Sequence, residues 1–153
     1  MFLKKIKKIL KIYLDKFLPD KRNFIFKIIK KNSICCEIGV WKGVFSEIII
    51  KKNNPKKLYL IDPWKDFGSD YFKKKHEKYL QKNQDDRFFL VQKKLAKYIE
   101  SKQVEIFRMT SKEAFEKIRN VGFDFIYIDG NHEYEFVKFD IEKYFELLNS
   151  GGY

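Results

Sequence analysis

The stretch SICCEIGVWKGVFSEIIIKK, residues 33–52, decides the fold of this chain. Its first part, Ser33–Ile38, is a short apolar run typical of a buried strand, and Val44–Lys52 has apolar residues at helical spacing. Gly39 and Gly43 lie between them, and glycine lets the backbone take positive φ angles and a ligand approach closely. The pattern indicates either a cofactor-binding turn or a plain tight turn between a strand and a helix.

The same alternation of strand and helix continues to the end of the chain. It predicts strands at 57–62, 103–108 and 123–129, and helices at 70–82, 86–101, 111–120 and 134–148, the last ending at 149–152. Ser111 is the expected N-cap of its helix. Strands separated by helices imply right-handed crossovers, and nearly all-apolar strands imply a sheet covered on both faces. We therefore expect an α/β fold with a Rossmann-like parallel sheet in residues 32–153.

The first 31 residues form a separate helical segment in this interpretation. Residues 2–18 place apolar side chains on one helical face and lysines on the other, Pro19 and Asp20 end that helix, and 21–31 predicts a second one. A basic amphipathic helix can lie on a membrane surface. Packing against its own domain or a partner subunit is the favoured alternative, so a homo-oligomer is one possible assembly.

The composition favours a soluble cytoplasmic protein. No apolar run approaches the roughly 18–20 residues that cross a bilayer, and no signal peptide is recognisable. Cys35 and Cys36 are adjacent within an apolar run, which fits a reduced, buried strand. The net charge of +12 raises the possibility of nucleic-acid binding. Only four of the 33 basic residues are arginine, however, and arginine dominates such recognition, so the lysines are interpreted as solvated surface.

Acidic residues end three of the predicted strands. Glu37 ends the first strand, Asp62 ends the second about 20 residues after the glycine turn, and Asp129 ends the fourth, followed by His132. Ligands of open α/β sheets bind at the carboxyl ends of the strands, and an acid at the end of the second strand typically holds ribose hydroxyls. The alternatives are caps: Asp62 before Pro63, and Asp129 with Asn131 before the last helix.

These motifs resemble a known family. The runs EIGVWKGVFSE, LYLIDPW and FDFIYIDGNHEYEFVKFDIEKYFELLNSGGY are similar to the class I S-adenosylmethionine-dependent methyltransferases, more narrowly to methyltransferase family 24, a branch of small-molecule O-methyltransferases. The resemblance covers about residues 33–153 and implies a sheet of order 3-2-1-4. It implies that Glu37, Gly39 and Gly43 shape the methionine pocket of the cofactor, that Asp62 holds its ribose, and that Ser111, with Met109 and Thr110, contacts adenine.

The resemblance also implies roles for the last motif. Asp129 is expected to bind a divalent metal such as Mg²⁺ or to orient the acceptor, and His132 is the candidate base. Histidine is a common general base, which suits proton removal from an acceptor hydroxyl. Family members continue beyond Gly151–Tyr153 with a fifth strand and further acidic ligands, so the chain is expected to be C-terminally truncated and its fourth strand to be an exposed edge.

The expected function is S-adenosylmethionine-dependent O-methylation of a sugar or another small molecule. Two alternatives remain open from the sequence. One is a non-catalytic or decayed cofactor-binding module, motivated by the missing strands. The other is an RNA-associated methyltransferase, motivated by the positive charge.

Overall fold

The computed structural model describes residues 24–65 and 80–153 of this 153-residue chain. In these ranges four parallel strands form one sheet in the order β3-β2-β1-β4. The strands are β1 (Ile34–Ile38), β2 (Lys57–Ile61), β3 (Val104–Phe107) and β4 (Phe125–Ile128). The predicted α/β class and the predicted strand order are both confirmed.

Five helices accompany the sheet within the described residues. They are α1 (Ile25–Ile28), α2 (Val44–Asn53), α3 (Gln81–Glu100), α4 (Ser111–Ile118) and α5 (Tyr134–Phe145). The predicted helix at 2–18 and nearly all of the one at 70–82 lie outside the described residues. None of the helices that are described is long and apolar enough to cross a membrane.

Helix boundaries and one N-cap differ from the prediction. From residue 24 onward, the helix expected at 21–31 covers only the four residues of α1, and the one expected from residue 86 begins at Gln81. Ser111 is not an N-cap, because Thr110 takes that position with an extended backbone. Thr110 Oγ1 accepts from the backbone N–H of Glu113 at 3.3 Å, and Glu113 Oε2 accepts from that of Thr110 at 2.8 Å. This reciprocal capping box pairs residues three positions apart, with two residues between them, and Ser111 has no Glu or Gln at that spacing.

Successive strand residues point to opposite faces, so the sheet has two apolar cores. Helices α1, α2 and α3 cover one face, and α4 and α5 cover the other. Cys35 belongs to the first core and Cys36 to the second, and both are fully buried free thiols, as predicted. Burial raises the pKa of Cys35 to about 11 and that of Cys36 well above its usual value, so both thiols are held in the protonated, unreactive form.

The outer edge of β4 is partly paired, which corrects the expectation of a bare edge. Ile126 donates its N–H to the carbonyl of Tyr153 at 2.9 Å, and Tyr153 donates to the carbonyl of Asp124 at 3.1 Å. These two bonds have the spacing of a parallel ladder. Beside them, Ile141 and Phe145 of α5 are 54% and 72% exposed, so the face next to β4 remains apolar and open.

Gly39 lies at the junction of β1, β2 and β4. It donates its N–H to the carbonyl of Ile61, while Asp129 donates to the carbonyl of Ile38, both at 2.8 Å. The φ angle of Gly39 is +88°, and a Cβ there would lie 2.0 Å from the carbonyl oxygen of Asp129. No side chain fits this distance. Glycine is therefore required at residue 39 by the protein's own backbone, in addition to any ligand.

Replacing Gly39 by alanine should destabilise the fold by more than its positive φ explains. The matched control is Gly151→Ala, because Gly151 also has a positive φ, +75°, but its added Cβ meets nothing within 4 Å. We expect the control to cost about 1–2 kcal/mol for the left-handed backbone alone. Gly39→Ala should cost about 1–3 kcal/mol more through overpacking. Urea unfolding of both variants measures the difference, and equal losses would contradict this account.

Candidate functional site

The three predicted strand-end acids lie at one edge of the sheet, the carboxyl edge. β1, β2 and β4 are adjacent and parallel, so Glu37, Asp62 and Asp129 end neighbouring strands. A cavity of about 220 Å³ opens between the glycine turn and β4. It is lined by Glu37, residues 39–42, Val44, Phe45 and Asp129. Thus three of the predicted site residues, Glu37, Gly39 and Asp129, line one space, as a ligand site requires.

Glu37 is a buried carboxylate at the floor of this cavity. Its side chain is only 1% exposed, and Ser46 of α2, which is fully buried, donates its hydroxyl to Glu37 Oε2 at 2.5 Å. A charge at this depth is stable only when hydrogen bonds replace its lost hydration. The helix after the glycine turn therefore supplies a donor that holds Glu37 in a fixed orientation toward the turn.

Asp62 binds the glycine turn through its carboxylate. Its Oδ2 accepts from the backbone N–H groups of Val40 at 3.0 Å and Trp41 at 2.9 Å, and its Oδ1 accepts from that of Trp64 at 2.8 Å. Burial raises the pKa of Asp62, while the three backbone bonds and the nearby Arg87 act in the opposite direction. A carboxylate has about four acceptor positions. Asp62 therefore shapes the turn and keeps capacity for one further donor.

Two tryptophans and one arginine hold the outer side of the turn. The Trp64 indole donates to the carbonyl of Trp41 at 2.9 Å, and the guanidinium of Arg87, from α3, lies 3.9 Å from the centre of the Trp41 ring. Trp64 is 1% exposed and Arg87 8% exposed, whereas Trp41 is 40% exposed. The Trp41 ring thus reaches the cavity mouth on a support that is itself buried, and its stacking on Arg87 is a cation–π contact.

Asp129 and His132 lie at the open side of the cavity. His132 Nε2 is 3.7 Å from Asp129 Oδ1, and the two side chains are 83% and 46% exposed. The Tyr127 hydroxyl lies 3.5 Å from Asp129 Oδ2. Asn131 Oδ1 accepts from the backbone N–H of Glu133 at 2.9 Å, so Asn131 orders the entry to α5. The arrangement offers an acid, an imidazole and a phenol to a molecule arriving from solvent.

Ser111 does not line the cavity. Its carbonyl accepts from the hydroxyl of Tyr144, on α5, at 2.8 Å. Thr110, its neighbour, is engaged in the capping box described above. The predicted adenine contact of Ser111 therefore stays a prediction.

A metal centre does not assemble from the described residues. They contain no group of three or more His, Cys, Asp or Glu side chains placed to hold an ion. Asp129 and His132 provide two potential ligands, and Mg²⁺ usually takes one or two carboxylates and completes its six ligands with water and substrate. The metal implied for Asp129 therefore stays a prediction, and no chemistry is assigned to it.

Ser46 and Tyr127 contribute to the site but were not among the predicted residues. A buried Glu37 demands a donor, and Ser46 is a polar residue in the first turn of the following helix, so this signal was readable. Tyr127 precedes Asp129 by two residues in a strand and hence shares its face of the sheet. The sequence alternation therefore predicts the shared face, but it does not predict that the Tyr127 hydroxyl approaches Asp129.

Removing the Ser46 hydroxyl should destabilise the protein through Glu37. Ser46→Ala removes the hydroxyl that donates to the buried Glu37 carboxylate, and we expect a loss of about 1–3 kcal/mol in the free energy of unfolding. The control is Ser101→Ala, because the Ser101 hydroxyl makes an exposed bond to the carbonyl of Tyr98. That change should stay within about 0.5 kcal/mol. Chemical denaturation of both variants tests the claim, which a neutral Ser46→Ala would overturn.

Comparison with known proteins identifies the family. A family model described as a methyltransferase domain, methyltransferase family 24, matches residues 36–153. No match is found among curated proteins. The matched segment contains the glycine turn, Asp62 and the Asp129–His132 loop, and it is most of the chain.

Two solved structures share the fold. One is an rRNA methylase from Streptococcus thermophilus, with TM-score 0.58 and 14% identity, covering 86% of this chain and 64% of that one. The other, from Staphylococcus aureus, is assigned as a caffeoyl-CoA O-methyltransferase, with TM-score 0.58 and 21% identity, covering 95% of this chain and 62% of that one. At these identities the likeness establishes the fold alone, and this chain spans less than two thirds of either structure. The family match and the fold agree: the chain belongs to methyltransferase family 24, among the class I S-adenosylmethionine-dependent methyltransferases.

Proposed function

We propose that this chain binds S-adenosylmethionine and transfers its methyl group to an oxygen atom of a sugar or another small molecule. The observation that carries the proposal is the cavity beside the Gly39 turn, which Glu37 and Asp129 line, together with the bonds by which Asp62 holds that turn. A buried carboxylate such as Glu37 is costly to a fold, so its placement on this cavity is best explained by a polar, cationic ligand.

Each part of the cofactor has a matching group at this edge. Glu37 and the Gly39–Gly43 turn suit the methionine part, because the cavity lies between them and Asp129. Asp62 lies at the end of β2 with one acceptor position left, which suits a ribose hydroxyl. The start of α4, with Ser111, is where the family places adenine. When bound, S-adenosylmethionine supplies an electrophilic methyl group on a sulfonium sulfur.

Asp129 and His132 would serve the acceptor. As the new carbon–oxygen bond forms and the carbon–sulfur bond breaks, the acceptor hydroxyl must release its proton. His132 Nε2 is exposed and takes that proton, and the Asp129 carboxylate at 3.7 Å stabilises the imidazolium that results. Tyr127, within 3.5 Å of the same carboxylate, keeps Asp129 turned toward the cavity mouth. The step needs no co-reactant beyond the cofactor and acceptor.

Calorimetry with S-adenosylhomocysteine tests the cofactor part of this proposal. We expect the wild-type chain to bind, and Asp62→Ala to weaken binding about tenfold or more, since a charge-assisted hydrogen bond to ribose is lost. Because Asp62 also holds the glycine turn, a loss of stability alone could lower the affinity. A control for that effect is therefore needed.

Asp124→Ala provides the matched control. The Asp124 carboxylate likewise accepts a backbone N–H, that of Ile34 at 2.8 Å, but at the opposite end of the sheet. Both variants should unfold at lower urea concentration, while only Asp62→Ala should lose affinity. No binding by wild type, or equal affinity in the two variants, would refute the proposal. Methyl transfer to a small-molecule panel then separates an enzyme from a cofactor-binding module that does not catalyse.

RNA is a second candidate acceptor, favoured by the net charge of +12. Binding of RNA through lysines releases counterions, so its affinity should fall steeply with salt concentration. Measuring the affinity for a short single-stranded RNA between about 50 and 200 mM salt distinguishes the two acceptors, because contacts to several phosphates predict a loss of two or more orders of magnitude over that range. Weak RNA binding that is insensitive to salt would contradict the RNA acceptor and favour the small-molecule acceptor.

A further inference from the structure

Trp41 has a backbone conformation that a bulky residue rarely takes. Its φ angle is +55°, and it lies between Gly39 and Gly43, whose φ angles are also positive. The left-handed backbone is unfavourable for a residue with a Cβ, and a large residue in it is a genuine outlier. Glycine would take the same conformation without this cost. The geometry of the turn therefore does not account for a tryptophan at residue 41.

Contacts from three other parts of the chain hold Trp41 in this conformation. Asp62, directly after β2, accepts its backbone N–H at 2.9 Å, and the buried indole of Trp64 donates to its carbonyl at 2.9 Å. Arg87, on α3, places its guanidinium 3.9 Å from the centre of the Trp41 ring. Strained backbone that the surrounding structure maintains is concentrated at functional sites. Because the ring is 40% exposed and lines the cavity, the feature maintained here is the indole at the cavity mouth.

Arg87 is a buried cation that the proposed reaction does not use. It is 8% exposed, and its guanidinium donates to Gln84 Oε1, one turn earlier on α3, at 2.9 Å. Burial of a charged group opposes folding unless other groups replace its hydration, and Gln84 and the face of the Trp41 ring are such groups. A planar guanidinium suits the face of an indole better than the compact charge of a lysine does. The contact between Arg87 and Trp41 therefore stabilises the buried charge and orders the ring together.

We infer that Arg87 is a positioning residue, which acts through Trp41 to hold the indole ring as one wall of the cavity mouth and thereby raises the affinity for the cofactor. This inference rests on the proposed function and deepens it. The ring belongs to the glycine-turn side of the cavity, and Asp129 lines the β4 side. A ligand that enters between them meets a ring that is already ordered. Without Arg87 the ring loses this restraint, so binding has to order it at a cost in side-chain entropy.

Calorimetry with S-adenosylhomocysteine compares the wild type with Arg87→Met, Trp41→Ala and the double variant. Methionine fills the space of the arginine stem without its charge or its planar group, so the affinity should fall about threefold to tenfold. Trp41→Ala should lose at least as much affinity, and the double variant should lose no more than Trp41→Ala. Arg87→Lys keeps the buried charge without the planar group, so its affinity should lie between those of the wild type and Arg87→Met.

Tryptophan fluorescence reports on the ring itself. The chain has two tryptophans, and Trp64 is 1% exposed, so a neutral quencher such as acrylamide acts mainly on Trp41. Quenching should increase in Arg87→Met, and S-adenosylhomocysteine should reduce it in the wild type. Trp41→Phe assigns the signal, because the emission that remains, from Trp64, should respond weakly to the quencher and to the ligand. A residue needed only for folding would change the urea midpoint but not the quenching of the folded protein.

Lys52→Met is the matched control. Lys52 lies in the last turn of α2, at the other end of that helix from the glycine turn, and its ammonium lies 4.4 Å from the centre of the Phe26 ring. Removing this cation–π contact should leave the affinity and the quenching of Trp41 unchanged. Wild-type affinity or wild-type quenching in Arg87→Met, failure of both Arg87 variants to fold, or additive losses in the double variant would overturn the inference alone. Absence of binding by the wild type would overturn it together with the proposed function.

Discussion

The close approach of Gly39 to the carbonyl of Asp129 is the constraint on which this site depends. The space for a Cβ at residue 39 is taken by that carbonyl at 2.0 Å, and the flanking bonds tie β1 to β2 and to β4. The ends of three strands are thereby drawn together. Glu37, Asp62 and Asp129 lie beside this junction, since Glu37 is the next-to-last residue of β1 and the two aspartates directly follow β2 and β4. A wider spacing would separate the acids and remove the cavity between the turn and β4.

The carboxylates at the carboxyl edge of the sheet stabilise the fold and also lie where a ligand would bind, so their position alone does not distinguish a structural role from a ligand-binding role. Asp62 accepts three backbone N–H groups and so stabilises a turn in which Trp41 has a positive φ of 55°. Glu37 is held by Ser46, and α2 begins where that bond is made. Because the turn is already formed by the protein's own hydrogen bonds, a cofactor entering it would meet preorganised carboxylates, with little ordering of the backbone left to do.

The sequence predicts the elements well and their side-chain partners poorly. The strand-like runs at β1, β2 and β4 alternate with segments of helical periodicity, so a parallel sheet with the acids at its carboxyl edge was predictable. The strand order followed from the family resemblance. The N-cap was misplaced by one residue, because Ser111 and Thr110 are both good caps and only the spacing to Glu113 decides between them. The bond from the Tyr144 hydroxyl to the Ser111 carbonyl joins residues 33 positions apart on two helices. Periodicity shows that Tyr144 is at a core position of α5 but not which carbonyl its hydroxyl meets.

The carboxyl groups of Asp140 and Asp62 differ in how far hydrogen bonds satisfy them. Asp62 is satisfied by backbone donors, so its carboxylate adds order to the turn even before a ligand arrives. Asp140 is 2% exposed, and its Oδ1 has no partner among the described residues. The first can be retained for folding alone, whereas the second opposes folding.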